Sequence, residues 1–512
     1  MPFEPSKKDL QVNYSVDLRE EITPVVINLP AGNNTISRVI SISNKACVDS
    51  IITNTGSAQI EGKIHSNVLI QNTDGTFANL NTTTSFSVPV INAAITTESQ
   101  MLATAKVVNI NSVQASENMV SFTASVATQP ILIVAKCTQI LDSVDPIAEQ
   151  KKDIINYVDI ISATAQEFDL NVELDLPTSI SSILSIDATT VLKNVEAGND
   201  LVAMQGEIYC NMIYLTADDE PKLKNHHYIQ EFAHEILANG VVISDFANAS
   251  LENISTTYEL TGEINSAKGT VVLDNKIKVN LIIGQAKSVE AVVDAFCPKY
   301  ILETEFADFE QQSASNCCNI EKIDGNINLG EDSSRIDKVL CVGEGNIVVQ
   351  SVNAENGGFS VSGKLVCDVV YKLDNDEGSI ESVLAEIPFD LSIKNEIVRE
   401  NSVLRVDIKP REIDARNKKA KEIDLLAELN VYTTIVNSEL EKVLNNITLG
   451  AKRNQNSAAL GYYIIPQAET LWDASKMLLV SGEMIMQQNP DLQFPINTPQ
   501  KVIIYRQKVM DY

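Results

Sequence analysis

The sequence predicts a mainly β protein, with three tandem β-sandwich or barrel-like repeat domains followed by a small C-terminal βααβ domain. Three observations carry this prediction: a glycine-led motif occurs three times, a second landmark precedes each copy, and the pattern changes after a polar stretch near residue 450. The chain has 512 residues and an apolar fraction of 44%, which suffices for several domains that each bury a core.

The repeated motif begins at Gly62 as GKIHSNVLI, at Gly206 as GEIYCNMIY and at Gly363 as GKLVCDVVY. Each copy contains a glycine, a charged residue, an aliphatic residue, a Ser or Cys, an Asn or Asp, and an apolar end. About 30 residues earlier stands a second landmark, which ends at Pro30, Pro177 and Gly330. Two landmarks in the same order at similar separation indicate homologous units, and we assign them to residues 1–148, 149–300 and 301–445.

Within each unit the apolar residues mostly alternate or form β-branched runs, as in ENMVSFTASVAT and NKIKVNLIIG. Polar turn sequences such as NTDG and DNDEG follow the glycine motif by a few residues. This pattern predicts antiparallel strands joined by turns. The segment from Pro146 to Ile161 fits either a short connecting helix or the first strand of the second unit.

The repeated glycines are expected to have a structural role, at a bulge or a strand start where close packing or a free φ angle is needed. The other repeated positions are aliphatic, small or Asn/Asp. No one acidic, basic or nucleophilic residue type is kept at an equivalent position in all three copies, and repetition of this kind favours a scaffold over an enzyme.

The charge balance bears on the class of partner. There are 39 Lys and Arg against 68 Asp and Glu, for a formal net charge of −29. Such a surface repels nucleic acid and anionic lipid, so we expect neither as a partner. Screening of the same repulsion predicts that any self-association strengthens with added salt.

Enzyme and metal chemistry find little support in the sequence. The eight cysteines lack CxxC spacing, and a reducing compartment with free thiols fits them best. His227 and His234 fit a zinc site only superficially, since no HExxH accompanies them. We therefore expect no catalytic residue, no metal and no cofactor.

Targeting signals are also missing from the sequence. The first 15 residues hold no apolar signal core, and no run of about 18 apolar residues occurs. We expect a cytoplasmic protein with no integral membrane segment.

The C-terminal part changes character. Residues 446–460 are polar, small and glycine-bearing, which is typical of a linker. Residues 461–507 then predict a strand, a helix with Thr470 as N-cap, a second short helix and a closing strand. For Trp472, the chain's only tryptophan, a core position in this small domain is expected, with sugar stacking as the alternative.

This C-terminal segment resembles a LysM module, the βααβ domain that usually binds N-acetylglucosamine polymers. Tyr463, Thr470, Leu471, Trp472, Asn489 and Leu492 fall in register with the family pattern. The family's usual Gly-Asp before the threonine is Ala468-Glu469 here, and Pro499 replaces the usual glycine before the last strand.

The resemblance implies a shallow groove between two loops. Carried over to this sequence, its residues are Ala468, Glu469, Thr470 and Leu471 in the first loop, and Asn489, Pro490, Asp491 and Leu492 in the second. Because Ala468 replaces glycine where sugar would approach, glycan binding and protein binding in this groove both stay open.

The three units and the appended module together resemble the SPOCS-domain proteins, spore-coat morphogenetic proteins of spore-forming clostridia. That resemblance implies synthesis in the mother-cell cytoplasm and recruitment to the forespore surface and spore coat. It also implies binding to the coat's basement-layer ATPase and other coat proteins, with the LysM module taking part. The function expected is a non-enzymatic adaptor in spore-coat assembly; the alternative is a peptidoglycan-binding protein at the spore cortex or cell envelope.

Overall fold

The computed structural model describes residues 5–505 apart from 145–147, 177–179, 219–222, 262–268, 331–332, 344, 376–378 and 454–459. Strands dominate this part of the chain and helices are confined to its C-terminal end, so the mainly β prediction is confirmed. Pro177 and residues 454–459 of the predicted linker lie outside the described residues.

The first unit, residues 1–148, forms two antiparallel sheets. One has the order β1-β7-β2 with β6 also paired to β7, and the other has the order β3-β4-β5. The strands are β1 (Ser6–Asp17), β2 (Glu21–Pro30), β3 (Ile36–Asn54), β4 (Ser57–Asn72), β5 (Phe77–Ile91), β6 (Met101–Ser116) and β7 (Met119–Ser143).

The second unit, residues 149–300, also forms two antiparallel sheets, β12-β13-β8 and β11-β10-β9. The segment that fitted either a helix or a strand is strand from Glu149 onward, where β8 pairs with β13, and its residues 146–147 lie outside the described residues. The strands are β8 (Glu149–Leu176), β9 (Ile180–Ala197), β10 (Leu201–Thr216), β11 (Leu223–Leu237), β12 (Phe246–Thr261) and β13 (Gly269–Phe296).

The third unit begins at residue 301 in our assignment and again has two sheets, β14-β20-β19 and β15-β17-β16 with β18 on β17. The strands are β14 (Tyr300–Asn328), β15 (Ile336–Val342), β16 (Asn346–Glu355), β17 (Gly358–Leu373), β18 (Ile380–Lys394), β19 (Val403–Lys419) and β20 (Glu422–Lys452). β20 continues through 446–452, where we predicted linker, because Leu449 and its neighbours pair with β14 and Ile447 is buried.

The three units share one topology. The last strand of each lies at the centre of the first sheet, and the strands in the middle of each unit, three in units 1 and 2 and four in unit 3, form the second sheet. The alternation that predicted strands is seen directly in β18, where Ala385, Ile387 and Phe389 are buried and the residues between them are exposed.

Each repeated glycine lies in the middle strand of its unit's second sheet, opposite a phenylalanine. A Cβ at Gly62 would stand 2.3 Å from the Cys47 carbonyl oxygen. At the two equivalent glycines a Cβ would likewise come too close to a carbonyl oxygen of the neighbouring strand. A register shift in the preceding strand accompanies each site. The pairs are Gly62–Phe86, Gly206–Phe232 and Gly363–Phe389.

Equivalent residues of the three units meet in one apolar cluster. Leu69, Ile213 and Val370 each lie seven residues after their unit's glycine, and all three are buried together. The preceding strands add Ile40, Leu184 and Cys341. The units are therefore arranged around a common centre with approximate threefold symmetry.

The first strands of the three units meet in a second cluster of the same kind. Tyr14, Tyr157 and Phe309 come from units 1, 2 and 3, and the rings of Tyr157 and Phe309 pack edge to face with centroids 5.7 Å apart. We call the three inter-unit surfaces the first seam (units 1 and 2), the second seam (units 2 and 3) and the third seam (units 3 and 1).

The C-terminal domain, called the module below, has the predicted βααβ order. Its elements are β21 (Leu460–Ile465), α1 (Leu471–Leu478), α2 (Gly482–Gln488) and β22 (Gln500–Tyr505), and β21 pairs antiparallel with β22. A separate small core holds it together, with Ile465, Ala474, Ile485 and Val502 among its fully buried members. The longer of its two helices has eight residues, too few to cross a bilayer.

Candidate functional site: the C-terminal module and the seams

The first loop of the predicted groove leads into α1 through a capping box. Thr470 is the N-cap: its side chain accepts from the Asp473 backbone N–H, and the Asp473 carboxylate accepts from the Thr470 backbone N–H at 2.9 Å. The Thr470 hydroxyl also donates to Asp473 Oδ2 at 2.8 Å, and this bond, together with the one from the Thr470 backbone N–H, holds the pKa of Asp473 below its usual range. An N-cap of this type contributes about 1 kcal/mol to helix stability.

The second loop is anchored by Asn489, the C-cap of α2. Its Oδ1 accepts from the Ile503 backbone N–H at 2.8 Å, and its Nδ2 donates to the carbonyl oxygens of Ile485 and Ile503. Asn489 thus binds α2 to the closing strand, which is a structural role.

The eight predicted groove residues divide by exposure. Ala468 and Leu492 belong to the module core, and Ala468 also forms a backbone bridge with Ile496. Leu471 and Asn489 are half-buried. The accessible members are Glu469, Thr470, Pro490 and Asp491.

The accessible part of these loops is acidic. Glu469 and Asp491 are exposed on the two loops, and the exposed Asp473 follows in the first turn of α1. We call these three carboxylates the acidic rim.

Trp472 attaches the module to the second unit. Its indole N–H donates to Asp294 Oδ2 at 2.8 Å, and its ring packs on Phe296 with centroids 5.2 Å apart. Trp472 is not among the residues of the module core. The expected core position is therefore wrong, and the sugar-stacking alternative stays a prediction.

A second contact from α1 strengthens this attachment. Lys476 lies one turn after Trp472, and its ammonium donates to both oxygens of Asp294, at 2.7 and 2.8 Å. The pair is partly exposed, so the charge contributes at most about 1 kcal/mol. The Asp294 carboxylate accepts hydrogen bonds from both Trp472 and Lys476, and it therefore determines which face of α1 contacts the second unit.

The seams are crossed by a repeated polar contact. The Asn/Asp of the motif is Asn67, Asn211 or Asp368, always five residues after the glycine. At the second seam Asn211 Nδ2 donates to the Val342 carbonyl oxygen at 2.7 Å. At the third seam Asp368 Oδ2 accepts from the Ile42 backbone N–H at 3.3 Å.

A buried ion pair of the second unit is hydrogen-bonded to the first unit across the first seam. Glu252 accepts from the Ala105 backbone N–H at 2.8 Å, and Lys278 donates to the Val48 carbonyl oxygen. Their charged groups are 3.9 Å apart. Burial raises the pKa of Glu252 to about 7, because desolvation outweighs the attraction of Lys278.

A cavity of about 620 Å³ lies where the three units meet. Four charged residues of its lining form ion pairs with one another: Arg405 with Asp17 at 2.9 Å, and Lys409 with Asp407 at 3.4 Å. We assign no reaction to it.

The histidines do not come together. Seven residues along β11 separate His227 from His234, which is about 23 Å and places them on opposite faces. His234 stacks on Phe168 with centroids 4.0 Å apart. Among the described residues, no group of three or more His, Cys, Asp or Glu side chains could hold a metal ion.

No family model, curated protein or solved structure matches this chain. Sequence reasoning missed Asp294, for which no local signal exists. It also missed the seam contacts, although the repeated Asn/Asp already marked their positions.

Proposed function

We propose that the chain is a non-enzymatic structural adaptor in spore-coat assembly. In this proposal it is made in the mother-cell cytoplasm and recruited to the forespore surface by the coat's basement-layer ATPase. The three units form a rigid body for other coat proteins, and the module is the docking site for the ATPase.

The observation that carries the proposal is the attachment of the module through one face of α1. Trp472 and Lys476 use that face to bind Asp294, while Glu469 and Asp491 remain exposed. A module fixed in orientation presents its loops without the entropic cost of ordering a flexible domain. That is the arrangement an adaptor needs.

The acidic rim indicates the chemistry of the docked surface. Two exposed carboxylates on the loops and a third in the first turn of α1 favour a basic protein segment. Exposed ion pairs govern association rate and specificity more than affinity. Binding of this kind weakens as salt is added.

An alternative is binding of peptidoglycan or N-acetylglucosamine polymers at the cortex or envelope. The observed βααβ order favours it, since that is the architecture of the glycan-binding family that the module resembles. Against it, Ala468 is buried in the module core and bridged to Ile496, so its backbone is committed.

Affinity capture from sporulating cells tests the adaptor proposal. The bait is the full chain, compared with a double variant, Glu469→Lys with Asp491→Lys. Glu483→Lys is the matched control, because Glu483 is an exposed carboxylate on α2 outside the rim. We expect the double variant alone to lose the ATPase; equal capture by all three baits would contradict the proposal.

Calorimetric titration of the full chain with N-acetylglucosamine oligomers tests the alternative, glycan binding, directly. Saturable heat that disappears in the double variant would support glycan binding by the module. No heat at millimolar oligomer would exclude it.

A further inference from the structure

The outward side of the module's two-stranded sheet is apolar. Along β21 and β22, alternate side chains pack into the module core, and those between them lie on the opposite side. The outward residues of the two strands pair with one another in register. All but one of them are large and apolar, and we call these the outer face: Leu460, Tyr462, Ile464, Ile503 and Tyr505. The exception is Lys501.

The outer face is exposed although the three units and the helices of the module are in place. The exposed fraction is 74% for Tyr462, 61% for Ile464 and 53% for Tyr505. An antiparallel sheet with one face in water normally has polar residues on that face. β18 follows this rule, since it exposes Glu386 and Asp390 between its buried residues. The outer face departs from the rule, which indicates that another surface covers it.

The area of the outer face fits a contact between proteins. Five large side chains that are about half exposed present roughly 500 Å² of apolar surface, which is near the upper end for the largest patch on a monomer. Two such faces packed together would bury roughly 1,000 Å², the lower limit for a specific interface. The outer face is therefore large enough for a weak, reversible dimer.

The distribution of charge favours a second copy of this chain as the occupant. The whole chain has a net charge of −29, so most contacts between two copies would bring carboxylates together. The outer face contains no carboxylate, and the one charged residue beside it is Lys501. Two outer faces can therefore meet without the like-charge repulsion that opposes other contacts.

The order of residues along the strands suits a two-fold contact. Tyr462 and Ile503 pair in the middle of the face, and Lys501 and Tyr505 lie at opposite ends of β22. A two-fold axis through the middle pair, perpendicular to the strands, places Lys501 of each copy over Tyr505 of the other. This arrangement keeps the two ammonium groups apart and allows each a cation–π contact.

The outer edge of β22 is closed to a partner strand. The Gln488 side chain accepts from the Tyr505 backbone N–H at 2.6 Å and donates to the Tyr505 carbonyl oxygen at 3.0 Å. Asn489 binds the backbone of Ile503 in the same way. Because these backbone groups are occupied, a partner cannot extend the sheet at β22, which favours packing on the face.

From these observations we propose that the outer face is the contact between two copies of this chain in a weak two-fold dimer. Long-range repulsion between the acidic chains limits the dimer at low salt, and the outer face supplies the apolar contact once that repulsion is screened. The contact uses neither the acidic rim nor the α1 face that binds Asp294, and it does not depend on the proposed adaptor function.

Sedimentation equilibrium of the full chain tests the dimer, at about 0.5 M salt to screen the net charge. We expect the weight-average mass to rise from the 56.0 kDa of one chain toward twice that value as the protein concentration approaches about 100 μM. A mass that stays at that of one chain would overturn the proposal.

Two substitutions of opposite charge separate packing from net charge. Ile464→Glu and Tyr462→Lys each place a charge on the outer face, and both should weaken self-association by at least about tenfold. Met477→Glu is the matched control, because it adds the same charge as Ile464→Glu at an exposed residue of α1. Self-association that survives both face substitutions, or that Met477→Glu weakens equally, would refute the proposal.

The fold of each variant is checked by its thermal midpoint in dilute solution. Ile464 and Tyr462 lie on the side of the sheet away from the module core, so the midpoint should move by less than about 2 °C.

The coat ATPase is the other occupant that the experiment can reveal. Titration of the ATPase into Ile464→Glu should give the affinity of the unmodified chain. Loss of ATPase binding in Ile464→Glu, with self-association intact, would assign the outer face to the ATPase and overturn the dimer.

Discussion

The carboxyl group of Asp368 at the third seam gives the sharpest test of the seam geometry. Burial raises its pKa to about 6 from an ordinary value of 3.8, and only the Ile42 backbone N–H opposes this shift. The two equivalent positions hold Asn67 and Asn211, which carry no charge. The substitution Asp368→Asn therefore installs the residue type that the other units already use.

The direction in which stability changes with pH follows from the difference between the pKa of Asp368 in the folded and in the unfolded chain. Between about pH 4 and pH 6 the unfolded chain loses the Asp368 proton while the folded chain keeps it, so stability falls as pH rises through this window. Two pKa units correspond to about 2.7 kcal/mol. Because Asp368 is only partly buried, solvent screens part of this, and we expect a cost of about 1–2 kcal/mol above pH 6.

Urea unfolding at pH 4 and pH 8 measures the effect. We expect Asp368→Asn to raise the free energy of unfolding by about 1–2 kcal/mol at pH 8 and to change it little at pH 4. The converse variant Asn211→Asp loses the bond to Val342 and should be destabilised most at pH 8. A destabilised Asp368→Asn at pH 8, or equal changes at both pH values, would refute the reasoning.

Three further predictions concern a repeated glycine, the attachment of the module and the net charge. Gly206→Ala should destabilise by more than about 2 kcal/mol in urea unfolding, because its Cβ would meet the Val191 carbonyl oxygen at 2.2 Å; Gly343→Ala, with its nearest neighbours at 3.5 Å, should be tolerated. Trp472→Ala should loosen the module and speed tryptic cleavage after Arg453, whereas a change at the exposed Met477 should not. Light scattering should show self-association increasing from 50 mM to 500 mM salt as the net charge of −29 is screened. Self-association that does not change with salt would show that charge repulsion does not limit it.

The strands and the module could be predicted because their signals are local. Alternation along a strand reports one buried face, and Thr470 precedes a helical pattern that it caps as expected. Close packing at the repeated glycines could also be predicted, since the motif marks Gly62 and its two equivalents.

The tertiary contacts could not be predicted from such signals. Trp472 binds Asp294, which is 178 residues away in the sequence, and no sequence pattern near either residue predicts this contact. The linker prediction failed at 446–452 for a related reason: its polar composition resembles a loop, but backbone pairing with β14 does not depend on side-chain polarity.

The module's contribution to an adaptor is tested most directly by titrating the purified full chain with the purified coat basement-layer ATPase. The proposal predicts saturable binding that weakens at least tenfold in the double variant Glu469→Lys with Asp491→Lys, and that weakens with added salt. Glu483→Lys should bind as the unmodified chain does. Equal affinity for all three proteins, or no binding at micromolar concentrations, would contradict it.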